Sequence, residues 1–257
     1  MQNIATRFAK CPEGRLKFDN TKWKQNDNYA KNYGKQNYRV CFDLDGTLAD
    51  TAPDIALALN KSLNEAGFSQ LPLESVKGMI GNGIPVLVRR ALCHVQAPED
   101  LAANVITSMH AYAREYYCEK SSLMHGVKDC LEGLKQRGIP MSICTNKDET
   151  VAQMVVSALG LSSYFNAIVG SRPDLVKKPD PLMLQIAAGA ISSPMETTMM
   201  IGDTEVDAAT GIAASSVSVI VRGGYCHKPY EELNVTHLLD SMEELLDIID
   251  NQYLISG

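Results

Sequence analysis

The sequence predicts an α/β protein: a parallel, doubly wound sheet interrupted near its start by a helical insert. Two observations carry this. Short apolar runs recur along the chain, and helical patterns alternate with the later ones, the rhythm of buried parallel strands joined by crossover helices. One interval, between Asp50 and about Leu123, carries almost no strand signal.

The strands are expected at residues 39–42, 139–144, 167–169, 198–201 and 217–221. A helix over 127–137 puts Val127, Leu131 and Leu134 on one face, and Gly138 fits its stop. A second, over 149–159, is stopped by Gly160. Ser241-Met242-Glu243-Glu244 reads as a capping box ahead of a final helix through about Ile249. In the interval without strands, Pro53 suits the first turn of a helix, with Ile55, Leu59 and Leu63 at i, i+4 and i+8 and Gly67 as the stop. Further helices are expected over 73–80, 84–92 and 100–117. The expected organisation is an extension over 1–37, a core from 38–50 and 124–257, and a helical insert over 51–123.

Composition narrows the function. The 257 residues are 45% hydrophobic and 21% charged, ordinary for a globular chain. No apolar run approaches the roughly 18–20 residues of a membrane span. Seven cysteines form no CxxC pair, which argues for a reduced, cytoplasmic protein and against a disulfide framework or zinc ribbon. The five histidines show no HExxH spacing. Residues 1–39 hold nine Lys/Arg and three Asp/Glu, a net +6, which leaves −12 on the remainder of a chain whose total is −6. An acidic body is not a nucleic-acid binder. The basic segment lacks periodicity and reads as a flexible extension. It shows neither the apolar core of a secretory signal nor the apolar stripe of an organelle-targeting peptide.

The chemistry is concentrated in four pieces, each behind an apolar run. Asp43-Leu44-Asp45-Gly46-Thr47-Leu48 follows Val40-Cys41-Phe42. Two carboxylates this close repel unless a cation or a proton compensates. One can attack phosphorus while the other manages a proton, so the pair points to magnesium-dependent phosphoryl transfer. Asp43 is the candidate nucleophile and Asp45 the candidate acid and base. Gly46 permits a tight turn whose N–H groups, with Thr47, can face phosphate oxygens. Thr145-Asn146 ends the second core strand; its hydroxyl can donate to a phosphoryl oxygen, and it is equally good turn chemistry. Lys177-Lys178-Pro179 offers Lys178 as a cation for the phosphate and for Asp43, and two lysines in a polar loop are equally a solvated pair. Gly202-Asp203-Thr204-Glu205-Val206-Asp207 follows the fourth strand. Asp203 can complete a magnesium site with Asp43 and the Asp45 carbonyl. Asp207 sits one helical turn on, in a supporting position.

Together these residues resemble the four motifs of the haloacid dehalogenase superfamily of phosphatases, over about residues 38–250. The first motif is matched by Asp43 to Leu48, the second by Thr145, the third by Lys178 and the fourth by Gly202-Asp203 with Asp207. The resemblance implies a Rossmann-like core with a mobile helical cap inserted between the first and second motifs. Ala49 to Asp54, Ile80-Gly81-Asn82-Gly83 with Leu87 to Leu92, and Cys144 to Lys147 look like the phosphoglycolate phosphatase branch. It implies Mg²⁺-dependent hydrolysis of a small phosphorylated metabolite, without nucleic-acid or membrane partners. Gly81-Asn82-Gly83 falls where such caps place a loop over the active site, and Arg89 or Arg90 is available to a substrate carboxylate. His125 stands where the family commonly has Pro. Phosphomutase, nucleotidase and pyrophosphatase activities share the same core, and a non-catalytic binding module is a further alternative. A phosphonatase needs a cap lysine, for which Lys61 and Lys77 are the candidates.

Overall fold

The computed structural model describes residues 8–10, 16–18, 38–189 and 195–253. Residues 1–37 and 38–257 form two units. In the first, Phe8–Lys10 (β1) and Leu16–Phe18 (β2) pair antiparallel. Three residues each are too few to register as periodicity in the sequence. The rest of the extension, with the flexibility expected of it, lies outside the described residues.

The second unit begins with Arg39–Phe42 (β3), followed by the two-residue strand Ala49–Asp50 (β4). Four helices come next: Ala52–Glu65 (α1), Leu73–Lys77 (α2), Ile84–His94 (α3) and Ala102–Glu115 (α4). The chain returns through Ser122–Leu123 (β5), antiparallel to β4. The insert is thus entered and left side by side. Beyond it run Val127–Gln136 (α5), Met141–Asp148 (β6), Glu149–Ala158 (α6), Ala167–Ser171 (β7) and Leu182–Ala187 (α7). Thr198–Gly202 (β8), Glu205–Ala213 (α8), Val217–Val221 (β9), His237–Leu239 (β10) and Glu244–Ile248 (α9) follow.

Six strands form one sheet in the order β10-β9-β8-β3-β6-β7, with every neighbouring pair parallel. The first strand of the sheet is therefore central, and the order reverses at it. In doubly wound sheets that reversal opens a crevice at the carboxyl ends of the strands. The period-2 alternation of side chains decides which residues meet which layer. Val40 and Phe42, Met141 and Ile143, and Met199 and Ile201 face one side, against α5, α6 and α9. Cys41, Cys144 and Met200 face the other, against Met183, Leu184 and Ala187 of α7. The insert builds its own apolar cluster from Leu59, Leu63, Val76, Val88, Leu92 and Met109. Each such side chain contributes on the order of 1.5–3 kcal/mol by burial. Among the described residues no helix is long and apolar enough to cross a membrane.

The sequence expectations hold in outline and shift at the ends. β6 starts at Met141, because Pro140 has no N–H for the ladder. It runs on to Asp148 through a register shift between Cys144 and Asp148. The helix expected over 73–80 stops at Lys77, where Met79 and Ile80 close tighter three-residue turns onto Val76 and Lys77. Ser241 does not cap the last helix, which starts at Glu244 without a side-chain cap. β4, β5 and β10, not among the expected strands, are two and three residues long, below the length at which alternation is legible.

Candidate active site

Asp43 emerges from the buried end of β3, its N–H donating to the Ile201 carbonyl of β8 at 2.8 Å. The chain then folds back: Leu48 and Ala49 donate to the Leu44 carbonyl, and Gly46 to that of Ala49. Gly46 has φ +86°, and a Cβ there would lie 2.4 Å from Asp203 Oδ2. Glycine is thus required twice over, by conformation and by the close approach of Asp203. Thr47 is buried and donates its hydroxyl to Asp203 Oδ1 at 2.6 Å. Of these two candidates for substrate contact, Gly46 leaves room for Asp203 and Thr47 holds it in place.

Asp203 follows β8, fully buried, and its second oxygen accepts the Tyr225 N–H at 2.6 Å. Thr204 caps α8. Its N–H and hydroxyl both donate to Asp207 Oδ2, at 3.1 and 2.7 Å, so the side chain three residues on satisfies the backbone at the helix start. The other oxygen of Asp207 receives Lys178 Nζ at 2.6 Å, and the same ammonium lies 3.1 Å from Asp43 Oδ1. Asp43, Asp203 and Asp207 thus bring carboxylate oxygens within 4.8 Å of one another, a group able to hold a metal ion. Asp207 completes that group of side chains, although Lys178 and Thr204 already engage both its oxygens.

Three buried carboxylates face one buried ammonium. Burial pushes the Asp43 carboxyl from 3.8 up to about 6 against the pull of Lys178, with Asp207 and Asp45 adding to the rise. Burial likewise raises Asp203 well above the usual carboxylate range, and Asp207 and Asp43 raise it further. Burial alone would lower Lys178; Asp207 and Asp43 overcome it and hold the ammonium above the ordinary lysine value. A hard divalent cation fits this uncompensated cluster of oxygen donors.

Asp45 points towards the insert. Its Oδ1 accepts the Thr51 hydroxyl at 2.5 Å and Lys147 Nζ at 2.9 Å. Thr145 is buried on β6 and lines a cavity of about 70 Å³ together with Asp43, Asp45, Asn146 and Lys147. By that measure one water needs roughly 10–15 Å³, so the space suits a small metabolite. The far wall is apolar, from Ile55, Ile84, Leu87 and Met109 of the insert. Asn146, a candidate for substrate contact, lines the same cavity and uses its amide to join three segments. Its Oδ1 accepts the Lys178 N–H at 2.9 Å, while Nδ2 donates to the carbonyls of Lys178 and Gly81. The loop at Gly81 is thereby held over the core.

The insert's cations lie elsewhere. Arg90 donates to the Met79 carbonyl and Asn82 Oδ1, bracing that loop, and Arg89 reaches the Pro85 carbonyl at the surface. Lys61 lies over the Tyr116 ring at 4.7 Å, and Lys77 pairs with Glu74. None of the four lines the cavity.

Tyr225, in the loop after β9, escaped sequence reasoning; the only signal was its place behind Gly223-Gly224. Its N–H holds Asp203, and its buried hydroxyl accepts the N–H groups of Thr51 and Ala52 at 3.0 Å and donates to Asp50 Oδ1 at 2.6 Å. One residue therefore links the acidic cluster to the start of α1 and the stem of the insert. Tyr225→Phe strands the buried Thr51 N–H and leaves the Ala52 N–H only its 3.3 Å contact with Asp50 Oδ1, and thermal or urea unfolding is expected to show a loss of about 1–3 kcal/mol. A loss below about 0.5 kcal/mol would show that the hydroxyl is not what closes this helix start.

Comparison with known proteins agrees with this geometry. The family model for haloacid dehalogenase-like hydrolases matches residues 40–221. A phosphoglycolate phosphatase of Cereibacter sphaeroides is 36% identical over 212 residues, 82% of this chain and 96% of that protein. Another, of Pseudomonas savastanoi pv. phaseolicola, is 35% identical over 219 residues, 83% of this chain and 80% of that protein. The crystal structure of a predicted phosphoglycolate phosphatase from Haemophilus somnus is similar with a TM-score of 0.77 at 27% identity, covering 84% of this chain and 99% of that one. The match runs from the central strand β3 to β9 and takes in every residue of the acidic cluster and its lysine, and the chain belongs to the haloacid dehalogenase-like hydrolase family.

Proposed function

We propose that this chain is a phosphatase that hydrolyses a small phosphate monoester with Mg²⁺, through an aspartyl-phosphate on Asp43, and that 2-phosphoglycolate is its substrate. The observation that carries the reading is Lys178 Nζ held between Asp43 and Asp207 in a buried carboxylate cluster. The phosphoglycolate phosphatases that share about 35% identity over most of the chain support the substrate. Asp43, Asp203 and the Asp45 carbonyl would hold the metal, with Asp207 behind Lys178. The metal supplies positive charge against the transferring phosphoryl group.

The chain's own groups do the rest. An Asp43 oxygen attacks phosphorus as the P–O ester bond breaks, and Asp45 gives its proton to the leaving oxygen. Water then attacks the phospho-Asp43 phosphorus, Asp45 takes back a proton, and phosphate leaves. Lys178 and the Thr145 hydroxyl stabilise the negative oxygens of the transferring group. The insert shields the site from bulk water. Six unpaired cysteines among the described residues support a reducing, cytoplasmic setting.

Phosphate release from 2-phosphoglycolate, sugar phosphates, nucleoside monophosphates and pyrophosphate, with Mg²⁺ and with chelator, tests this. The expected result is Mg²⁺-dependent release with 2-phosphoglycolate foremost. Equal turnover of all of them would defeat the substrate assignment, and no release from any would defeat the phosphatase.

A pH dependence follows from Asp43. Its folded-state pKa of about 6 lies above its ordinary 3.8. Between about pH 4 and pH 6 the folded state keeps a proton that the unfolded chain has lost, so stability falls as pH rises through that window. Bound Mg²⁺ takes over the proton's role. Thermal unfolding is expected to show a larger gain from Mg²⁺ at about pH 7.5 than at about pH 5. An equal gain at both would contradict it.

A further inference from the structure

We infer that Lys147 forms a carboxylate subsite, and that it is the residue through which this chain selects phosphate esters bearing a carboxylate next to the ester carbon. The inference rests on the phosphatase reading and assigns a residue to its substrate preference.

Lys147 is the only Lys, Arg or His among the side chains lining the cavity. Its side chain is 11% exposed, and its ammonium lies 2.9 Å from Asp45 Oδ1. The cavity's other acids are already engaged. Asp54 accepts the N–H groups of Lys120 and Ser121 and the Ser121 hydroxyl. Asp148 caps α6 through the Val151 N–H at 3.1 Å and lies 3.7 Å from Arg114. Lys178 is bound between Asp43 and Asp207 at the phosphoryl end. A substrate that brings a second negative group therefore meets Lys147 as the cation among the described lining side chains, with Lys177, whose ammonium lies beside the lining Gly83, as the nearest alternative.

Position sets which group that is. Asp45 protonates the ester oxygen, so a cation in contact with Asp45 lies within reach of atoms one or two bonds beyond that oxygen. A carboxylate on the ester carbon falls there. With Ile55, Ile84, Leu87 and Met109 behind it, the same spot is unfavourable for an unpaired charge. A site built around a polar partner discriminates more strongly than an apolar one of the same shape.

The test compares 2-phosphoglycolate with ethyl phosphate, which keeps the P–O–C–C skeleton and lacks the carboxylate. The quantity read is the ratio of kcat/KM for the two esters in wild type, Lys147→Met and Lys147→Arg. Any general damage through Asp45 acts on both esters and cancels in the ratio. Wild type is expected to prefer 2-phosphoglycolate. Lys147→Met is expected to cut the ratio on the order of 100-fold, mainly through KM for the carboxylate ester, and Lys147→Arg to retain most of it. A ratio in Lys147→Met within about threefold of wild type overturns the inference and leaves the phosphatase standing, as does a wild type that prefers ethyl phosphate. No hydrolysis of either ester sinks both.

Discussion

Asp43→Asn is expected to lower phosphate release by at least ~10⁴-fold, on the scale seen when a nucleophile is removed from a concerted catalytic group. Asn keeps the shape, and an amide oxygen can still accept from the Leu44 N–H and from Lys178, which approach Asp43 Oδ1 at 2.7 and 3.1 Å. What it loses is the charge and the nucleophilic oxygen. The fold is expected to survive, because the substitution removes one of three mutually repelling buried carboxylates. In chelator the variant should unfold at a temperature no lower than wild type. Phosphate release under saturating Mg²⁺, read beside thermal unfolding, separates lost chemistry from lost structure. Activity within tenfold of wild type would remove Asp43 from the role of nucleophile.

Lys178→Met carries the second large effect, on both activity and stability. The ammonium is almost completely buried and is shared by Asp43 and Asp207. Removing it leaves those carboxylates, with Asp203 beside them, without their cation. Breaking a buried pair in this way costs about 3–5 kcal/mol. Turnover is expected to fall by ~10³-fold or more, since the same charge faces the transferring phosphoryl group. Urea unfolding in chelator measures the loss of stability. Added Mg²⁺ should restore more stability to the variant than it adds to wild type, because the metal becomes the only counter-charge. An unchanged urea midpoint in chelator would show that the three acids do not depend on Lys178 for their neutralisation.

Three of the residues proposed for the chemistry were legible because each sits at the end of an apolar run. Asp43 follows Val40-Cys41-Phe42, Asp203 follows β8, and Thr145 lies on β6. A buried parallel strand must be apolar on both faces, and its carboxyl end must open into the crevice. The position of these side chains is thus implied by the composition of the strand before them. Asp207 was placed for a local reason, one helical turn beyond Asp203; the capping box it forms with Thr204 went unread.

Thr47 and Asn146 have structural partners that the sequence did not disclose, beside the substrate contact expected of them. A hydroxyl or an amide near a phosphoryl site can serve the substrate or serve its neighbours, and the sequence contains nothing that separates the two. Thr47 meets Asp203 across 156 positions, and Asn146 meets the Gly81 carbonyl across 65. Lys147 and Tyr225 illustrate the same limit more strongly: Asp45 and Lys147 are 102 residues apart, and Tyr225 and Asp50 are 175 apart.

The sequence by itself determined the class of fold and the four stretches from which the site is proposed, because strand burial and paired carboxylates are properties of neighbours along the chain. Only the tertiary structure decided which oxygen Lys178 shares, what holds Asp203, and which cation faces the cavity. Those depend on distances between segments that approach one another only after β3, β6 and β8 have aligned.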